Sequence, residues 1–268
     1  MAIITISRGT FSGGRDLAEC TAKKLGYRCL PRIELHQASI QYGVSEEDLS
    51  EAISKTPGIL EHLSSERACY LACLRAALVR EAKDDNVVYH GLTGHFLVQG
   101  VPHILRVRVI ANTEFRIKGA MERTKLNRKE ALEYLRKADE KRLRWTRFLY
   151  HVDWHDPSLY DITVNLEHIS LNSACEILCH AVTLDKFVTS PEWRKTMDDL
   201  VLSTEVRAIV ATNRGIAASG LEIEADGSVI TLGGTVSSLQ DADKIREIAA
   251  AVPGVKDINS KMRVKSTW

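Results

Sequence analysis

Five short apolar runs, AIITIS (2–7), YRCLP (27–31), NVVYH (86–90), HILRVRVIA (103–111) and YDITVN (160–165), alternate with segments of helical periodicity over the first two thirds of the chain. Several of these runs are continuously apolar, the pattern of strands covered on both faces. Strands separated by helices pair in parallel through right-handed crossovers. The alternation therefore predicts an α/β three-layer domain. From about Thr183 the pattern changes. A connecting stretch, LDKFVTSPEWRK, precedes a helical segment (198–213), two strand-like runs, LEIEA and SVITLGGTV, a second helical segment, and VKDINSKMRV as a closing strand. Asp226-Gly227 between the two runs is a hairpin signal. We expect a small α+β domain over 198–268, a linker over 186–197 and a first domain over 1–185, with Pro191 interrupting the chain near the boundary.

The first apolar run leads into GTFSGGRD (9–16), after which LAECTAKKLG reads as a helix stopped by Gly26. A glycine-rich turn between strand and helix is the setting of a phosphate-binding loop, in which backbone N–H groups and the helix dipole hold the anion. Gly9, Thr10, Phe11, Ser12, Gly13, Gly14, Arg15 and Asp16 are the candidate phosphate-binding residues. A turn that binds nothing is the alternative. Arg15 stands where such loops place Lys, and Asp16 where they place Ser or Thr. Arg15 keeps the charge as a planar fork, whereas Asp16 replaces the hydroxyl that would ligate magnesium. Its carboxylate either takes the Mg2+ itself or favours the helix N-terminus.

In NRKEALEYLRKADEKRLRWTRFL (127–149) a helical apolar stripe passes through Ala131, Leu132, Leu135, Ala138, Trp145 and Leu149, and Asp139 and Arg142 fall on it. Charges on an apolar face are costly unless paired or used. Lys137, Lys141 and Arg144 share another face, and Arg147 follows. A solvated basic helix with one i,i+3 ion pair is the alternative reading.

The composition, 44% hydrophobic and 26% charged with a formal charge of +1, gives the whole chain no electrostatic reason to bind nucleic acid, so anion binding rests on local clusters. No stretch is long and apolar enough for a membrane span, and the first apolar run is too short for a signal peptide, so a cytoplasmic location is expected. The six cysteines are then read as reduced thiols. The i,i+4 pairs Cys69/Cys73 and Cys175/Cys179 read as core packing in preference to zinc ligation.

The opening ITISRGTFSGGRDLAECTAKKLGYRCLPR, together with VVYHGLTGHFL, HILRVRVIANTEFRI and RKADEKRLRWTRFLYHVDWHDPSLYDITVNLEHIS, resembles the cytidylate kinase-like family of P-loop nucleoside monophosphate kinases over about residues 1–185. That resemblance implies a parallel five-stranded core, ATP with Mg2+ on the loop, a monophosphate acceptor, typically CMP, held by a mobile arm, and a lid of arginines. Arg15 and Asp16 become a family variant of the loop. Arg142, Arg144 and Arg147 become lid residues that act with Arg15 and Asp139 in phosphoryl transfer, Arg116 a contact to the donor base, and Arg32 a contact to the acceptor. Pro31 replaces an acidic residue before Arg32, and HGLTG (90–94) stands where relatives show G-R-G.

The segment 198–264, with Gly233-Gly234 and P-G-V-K-D-I-N in order, resembles a BON domain. Ile230, Leu232 and Val236 would line its covered sheet face. Such domains are associated with phospholipid or ligand binding; here a sensor, docking or oligomerisation module is implied, with a protein or lipid partner or a second copy of the chain. Three functions stay open: an ATP-dependent kinase of a nucleoside monophosphate, a catalytically degenerate nucleotide sensor signalling through the C-terminal domain, and a lipid or protein adaptor.

Overall fold

A computed structural model describes residues 2–31, 34, 37, 40–42, 65–91, 94–101, 103–213, 216 and 220–265. Its helices are α1 (Gly14–Leu25), α2 (Ser65–Glu81), α3 (Gly94–Leu97), α4 (Thr113–Arg123), α5 (Arg128–Tyr150), α6 (Leu171–Ala181), α7 (Pro191–Thr212) and α8 (Leu239–Ala250). The chain divides into two compact units.

In the first, β1 (Ile3–Arg8), β2 (Arg28–Pro31), β3 (Val87–Gly91), β4 (Ile104–Ile110) and β5 (Ile162–Asn165) form a five-stranded, wholly parallel sheet in the order β2-β3-β1-β4-β5. Central β1 is buried from Ile3 to Ser7, as its unbroken apolar run requires. Strand alternation and register divide the sheet into two faces. Ile4, Ile6, Val88, Leu105 and Val107 share one face, packed in a single cluster with Leu17 and Ala18 of α1 and Cys175 and Leu178 of α6. Thr5, Ser7, Tyr89, Arg106 and Arg108 share the opposite face. A Cβ on Gly94 would sit 2.2 Å from the Tyr89 ring, so α3 rests against this second face.

α5 begins at a capping box in which Asn127 and Glu130 exchange side-chain to backbone bonds, and it ends at His151 in the left-handed conformation. Ala131, Leu135 and Trp145 of the expected stripe are buried, but Leu132 is 42% exposed. Position 132 lies to the side of the line that Ala131 and Leu135 direct at α4.

In the second unit, β6 (Leu221–Asp226) and β7 (Val229–Val236) form a hairpin in which Asp226 pairs with Val229, so Gly227 and Ser228 make the turn. β8 (Asp257–Ser260) and β9 (Arg263–Val264) both run parallel to β7. The closing strand is thus split, although its register is the same on both sides of the gap. Alongside that gap β7 carries Gly234, whose φ is +87° and whose added Cβ would lie 1.9 Å from the Gly220 carbonyl oxygen beside β6. Ile230, Leu232 and Val236 are buried with Val206, Val210, Ile245 and Ala249, as their alternation predicts.

Pro191 opens a helix instead of interrupting the chain. It occupies the first turn of α7 while the Ser190 side chain caps it through the Trp193 N–H, a position where a missing proline N–H costs nothing. The stretch 191–197, read from its sequence as connecting chain, is therefore helical. α2, which precedes β3 in the chain, belongs to the second unit and packs along α7, with Arg80 paired to Glu205 at 2.6 Å and Lys83 to Asp198 at 3.3 Å. No helix among the described residues is long and apolar enough to cross a membrane.

Candidate functional site

The loop after β1 is folded on itself. The Ser12 hydroxyl and N–H both donate to the Gly9 carbonyl, at 3.0 and 3.3 Å, Phe11 takes φ +56° and Gly13 φ +82°. α1 then starts at Gly14 with Gly13 as its N-cap and no side chain bonded to its first-turn N–H groups. A helix N-terminus left in that state is an anion site. A Cβ on Gly14 would lie 2.6 Å from Cβ of Arg8, so the glycine is what lets the helix start beside the end of β1.

Arginines converge on this loop. Arg116 of α4 donates from Nε to the Thr10 carbonyl at 2.9 Å and from Nη2 to Asp139 of α5 at 2.8 Å. Asp139 also holds Arg142 at 3.0 Å. Burial pulls the Arg142 guanidinium down to about 10, Asp139 opposes this, and the charges of Arg8 and Arg116 push the same way as burial. Arg8 is likewise lowered, first by burial and then by the charge of Arg15, and its buried Nε has no partner among the described residues. Two guanidiniums thus share one carboxylate, with the charge of Arg8 acting on Arg142, in a partly desolvated place where charge acts strongly. His90, at the end of β3 on the same face as Arg8, is buried; desolvation and Arg8 bring its pKa down to about 4, so the ring is neutral.

The remaining sequence candidates are placed differently. Arg15 is 62% exposed and turned to Glu19, with Nε at 2.7 Å, which raises its pKa. Asp16, the candidate magnesium ligand, is paired with Arg123 at 2.6 Å. Arg144 is exposed, and Arg147 reaches Asp153 at 3.1 Å. Arg32 lies outside the described residues, as do Leu92 and Thr93 of HGLTG. Arg8, His90 and Arg123 escaped the sequence reading. A basic residue closing an apolar strand directly before the loop was the available signal for Arg8; pairing across elements hides the other two.

Comparison with known proteins agrees with the fold of both units. The model of the cytidylate kinase-like family matches residues 3–168, and that of the BON domain residues 198–266. A cytidylate kinase of Pyrobaculum islandicum is 24% identical over 178 residues, 66% of this chain and 90% of that protein. The osmotically-inducible protein Y of Escherichia coli is 29% identical over 69 residues, 26% of this chain and about a third (34%) of its own length. An uncharacterised protein of Eubacterium ventriosum shares the fold over 68% of this chain and 99% of its own, with a TM-score of 0.54 at 17% identity. The chain belongs to the cytidylate kinase-like family and carries a BON domain over residues 198–266.

Proposed function

We propose that this protein transfers the terminal phosphoryl group of ATP to a nucleoside monophosphate, CMP foremost. The observation that carries the reading is the surplus of guanidinium charge held beside an uncapped helix N-terminus: Arg116 and Arg142 on the single carboxylate of Asp139, with the charge of Arg8 acting on Arg142. The residues present fit a polyphosphate. The amides of residues 13–16 and Arg116 would hold the donor phosphates, and Arg142 would neutralise charge that spreads over the transferring group. Asp139 fixes both guanidiniums beforehand, so they need no reorganisation as that charge develops. Mg2+, when bound with the donor, supplies further neutralisation between its phosphates. Asp16 would reach it on leaving Arg123. Arg15, exposed, would swing from Glu19 to the donor.

The test is diphosphate formation by the purified chain from ATP, Mg2+ and a panel of monophosphates. Arg142→Ala is expected to lower turnover by about 100-fold or more, the scale of losing one preorganised donor to the reacting group. Absence of turnover across the whole panel refutes transfer. A second reading, a nucleotide sensor without catalysis, is favoured by the engagement of Arg15 with Glu19 and of Asp16 with Arg123. Calorimetry showing ATP binding without turnover would select it. In either case the BON domain would serve as a docking module for a protein or phospholipid partner, with the chain acting in the cytoplasm.

A further inference from the structure

Three thiols meet on the sheet face that α1 and α6 cover. Cys175 of α6 is wholly buried there, and Cys20 of α1 and Cys179 of α6 pack, partly buried, against the same cluster. The two helices touch along this stretch: Lys24, one turn after Cys20, reaches Asn172 at 2.9 Å and Glu176 at 3.2 Å, the residues that flank Cys175. Hydrogen bonds join the thiols in a row, Cys20 to Cys175 and Cys175 to Cys179.

Geometry decides which pair can close. Residues at i,i+4 of a helix hold their Cβ atoms about 5–6 Å apart, whereas a disulfide needs about 3.5–4.5 Å, so Cys175 and Cys179 cannot be bridged without unwinding α6. Cys20 comes from a separate helix and already touches Cys175, so those two sulfurs can close by side-chain rotation. Cys69 and Cys73 of α2 are hydrogen-bonded to each other at the same i,i+4 spacing, and by the same rule they stay unbridged.

We propose that Cys20 and Cys175 form a reversible disulfide under oxidising conditions, a bridge that pins α1 to α6. Cys20 lies about 9 Å along α1 from Gly14, so the bridge clamps the helix close to its uncapped N-terminus. The co-reactant is a small-molecule disulfide. The Cys20 thiolate, the more accessible of the pair, attacks one sulfur of that disulfide, breaks its S–S bond, and forms a mixed disulfide as one thiolate leaves. Cys175 then attacks the Cys20 sulfur, forms the bridge and expels the second thiolate. Two protein thiols are oxidised, one small disulfide is reduced to two thiols, and the protons given up by Cys20 and Cys175 end on the released sulfurs. In a reducing compartment the exchange runs backward and the three S–H groups pack the core. The hydrogen bond to Cys175 and burial hold the Cys20 thiol above the usual thiol range, with Lys24 and Lys23 opposing them, so its thiolate is scarce at neutral pH and the bridge forms slowly there. Nothing in this chemistry depends on phosphoryl transfer.

The test is incubation of the folded full chain with oxidised glutathione, followed by alkylation, mass spectrometry and proteolytic mapping. Wild type is expected to lose one pair of its six thiols, to become lighter by about 2 Da, and to yield one cross-link between the peptides of Cys20 and Cys175, all reversed by dithiothreitol. The rate should rise about tenfold from about pH 7 to about pH 8, as the thiolate fraction does. Cys20→Ser should abolish the bridge, Cys175→Ala should slow its formation at least about tenfold, and Cys179→Ala should leave it within about threefold. Cys20 is partly exposed, so Cys20→Ser and the peptide map carry the test even where Cys175→Ala does not fold. Amide exchange in α1 should slow by about tenfold or more in the bridged chain. No thiol loss from the folded chain, a mixed disulfide that goes no further, a bridge within Cys69/Cys73 or Cys175/Cys179, thiol loss that survives Cys20→Ser, or unchanged exchange in α1 overturns the proposal.

Discussion

Asp139→Asn is the sharpest probe of the loop's electrostatics. The carboxylate lies 2.8 Å from Arg116 and 3.0 Å from Arg142, with the three side chains between 15% and 25% exposed. At an effective dielectric constant of about 20, each pair is worth roughly 5 kcal/mol before desolvation. Desolvation and residual solvent access cancel much of this, and breaking a buried pair costs about 3–5 kcal/mol. For a site exposed to this degree we expect a loss of about 2–3 kcal/mol, read as a lower urea midpoint at unchanged slope. Most of the loss is the repulsion of guanidiniums left facing one another. Two outcomes follow. Asp139→Asn with Arg142→Gln should recover more than half of the stability, because the uncompensated charge has gone. Pyrophosphate should also stabilise Asp139→Asn more than wild type, by supplying the missing negative charge. Losses that simply add in the double variant, or an Asp139→Asn protein within about 0.5 kcal/mol of wild type, would refute the picture of a carboxylate restraining surplus cations.

The buried histidines make stability depend on pH. His90 and His95 are each held near 4, below the ordinary histidine value of about 6.5, so the unfolded chain binds protons that the folded chain does not. Their contribution is complete above about pH 6.5 and is lost as pH falls toward 4, with a slope of up to about 2.7 kcal/mol per pH unit for the two together. Urea unfolding between pH 4.5 and 7 should show this slope in wild type and about half of it in His90→Gln; an unchanged slope would mean that His90 is not buried neutral. Gly234→Ala should abolish cooperative unfolding of the second unit by circular dichroism, since its Cβ would enter the Gly220 carbonyl; a change below about 1 kcal/mol would show that β7 does not bend there.

Local signals carried much of the fold. The apolar runs, the loop glycines, Gly26 and the hairpin at Asp226 each act within a few residues of chain, and each lies where its period or turn chemistry puts it. Pro191 misled because proline both breaks a helix interior and opens a helix, and only the Ser190 cap separates the two. The site was half legible. Asp139 and Arg142 stood out by stripe and Arg116 by the family resemblance, but that one carboxylate joins Arg116 to Arg142 depends on α4 and α5 meeting, which no local pattern encodes. The outward turn of Arg15 was hidden for the opposite reason, since its i+4 partner Glu19 is present in the sequence but competes there with a phosphate. The row of Cys20, Cys175 and Cys179 exists only once α1 and α6 have packed together.

The pairing of α2 with α7 bears on how the protein is made. Arg80 and its partner Glu205 are 125 residues apart, and at ribosomal rates of about 5–20 residues per second α2 waits roughly 6–25 s for that partner. Tyr70, Cys73, Leu74, Leu78 and Val79 of this helix are buried in the finished protein, so for those seconds the nascent chain presents an apolar segment that it has no means to cover with α7. Until α7 has been made, the helix in waiting is a segment that a chaperone binding short apolar stretches would recognise.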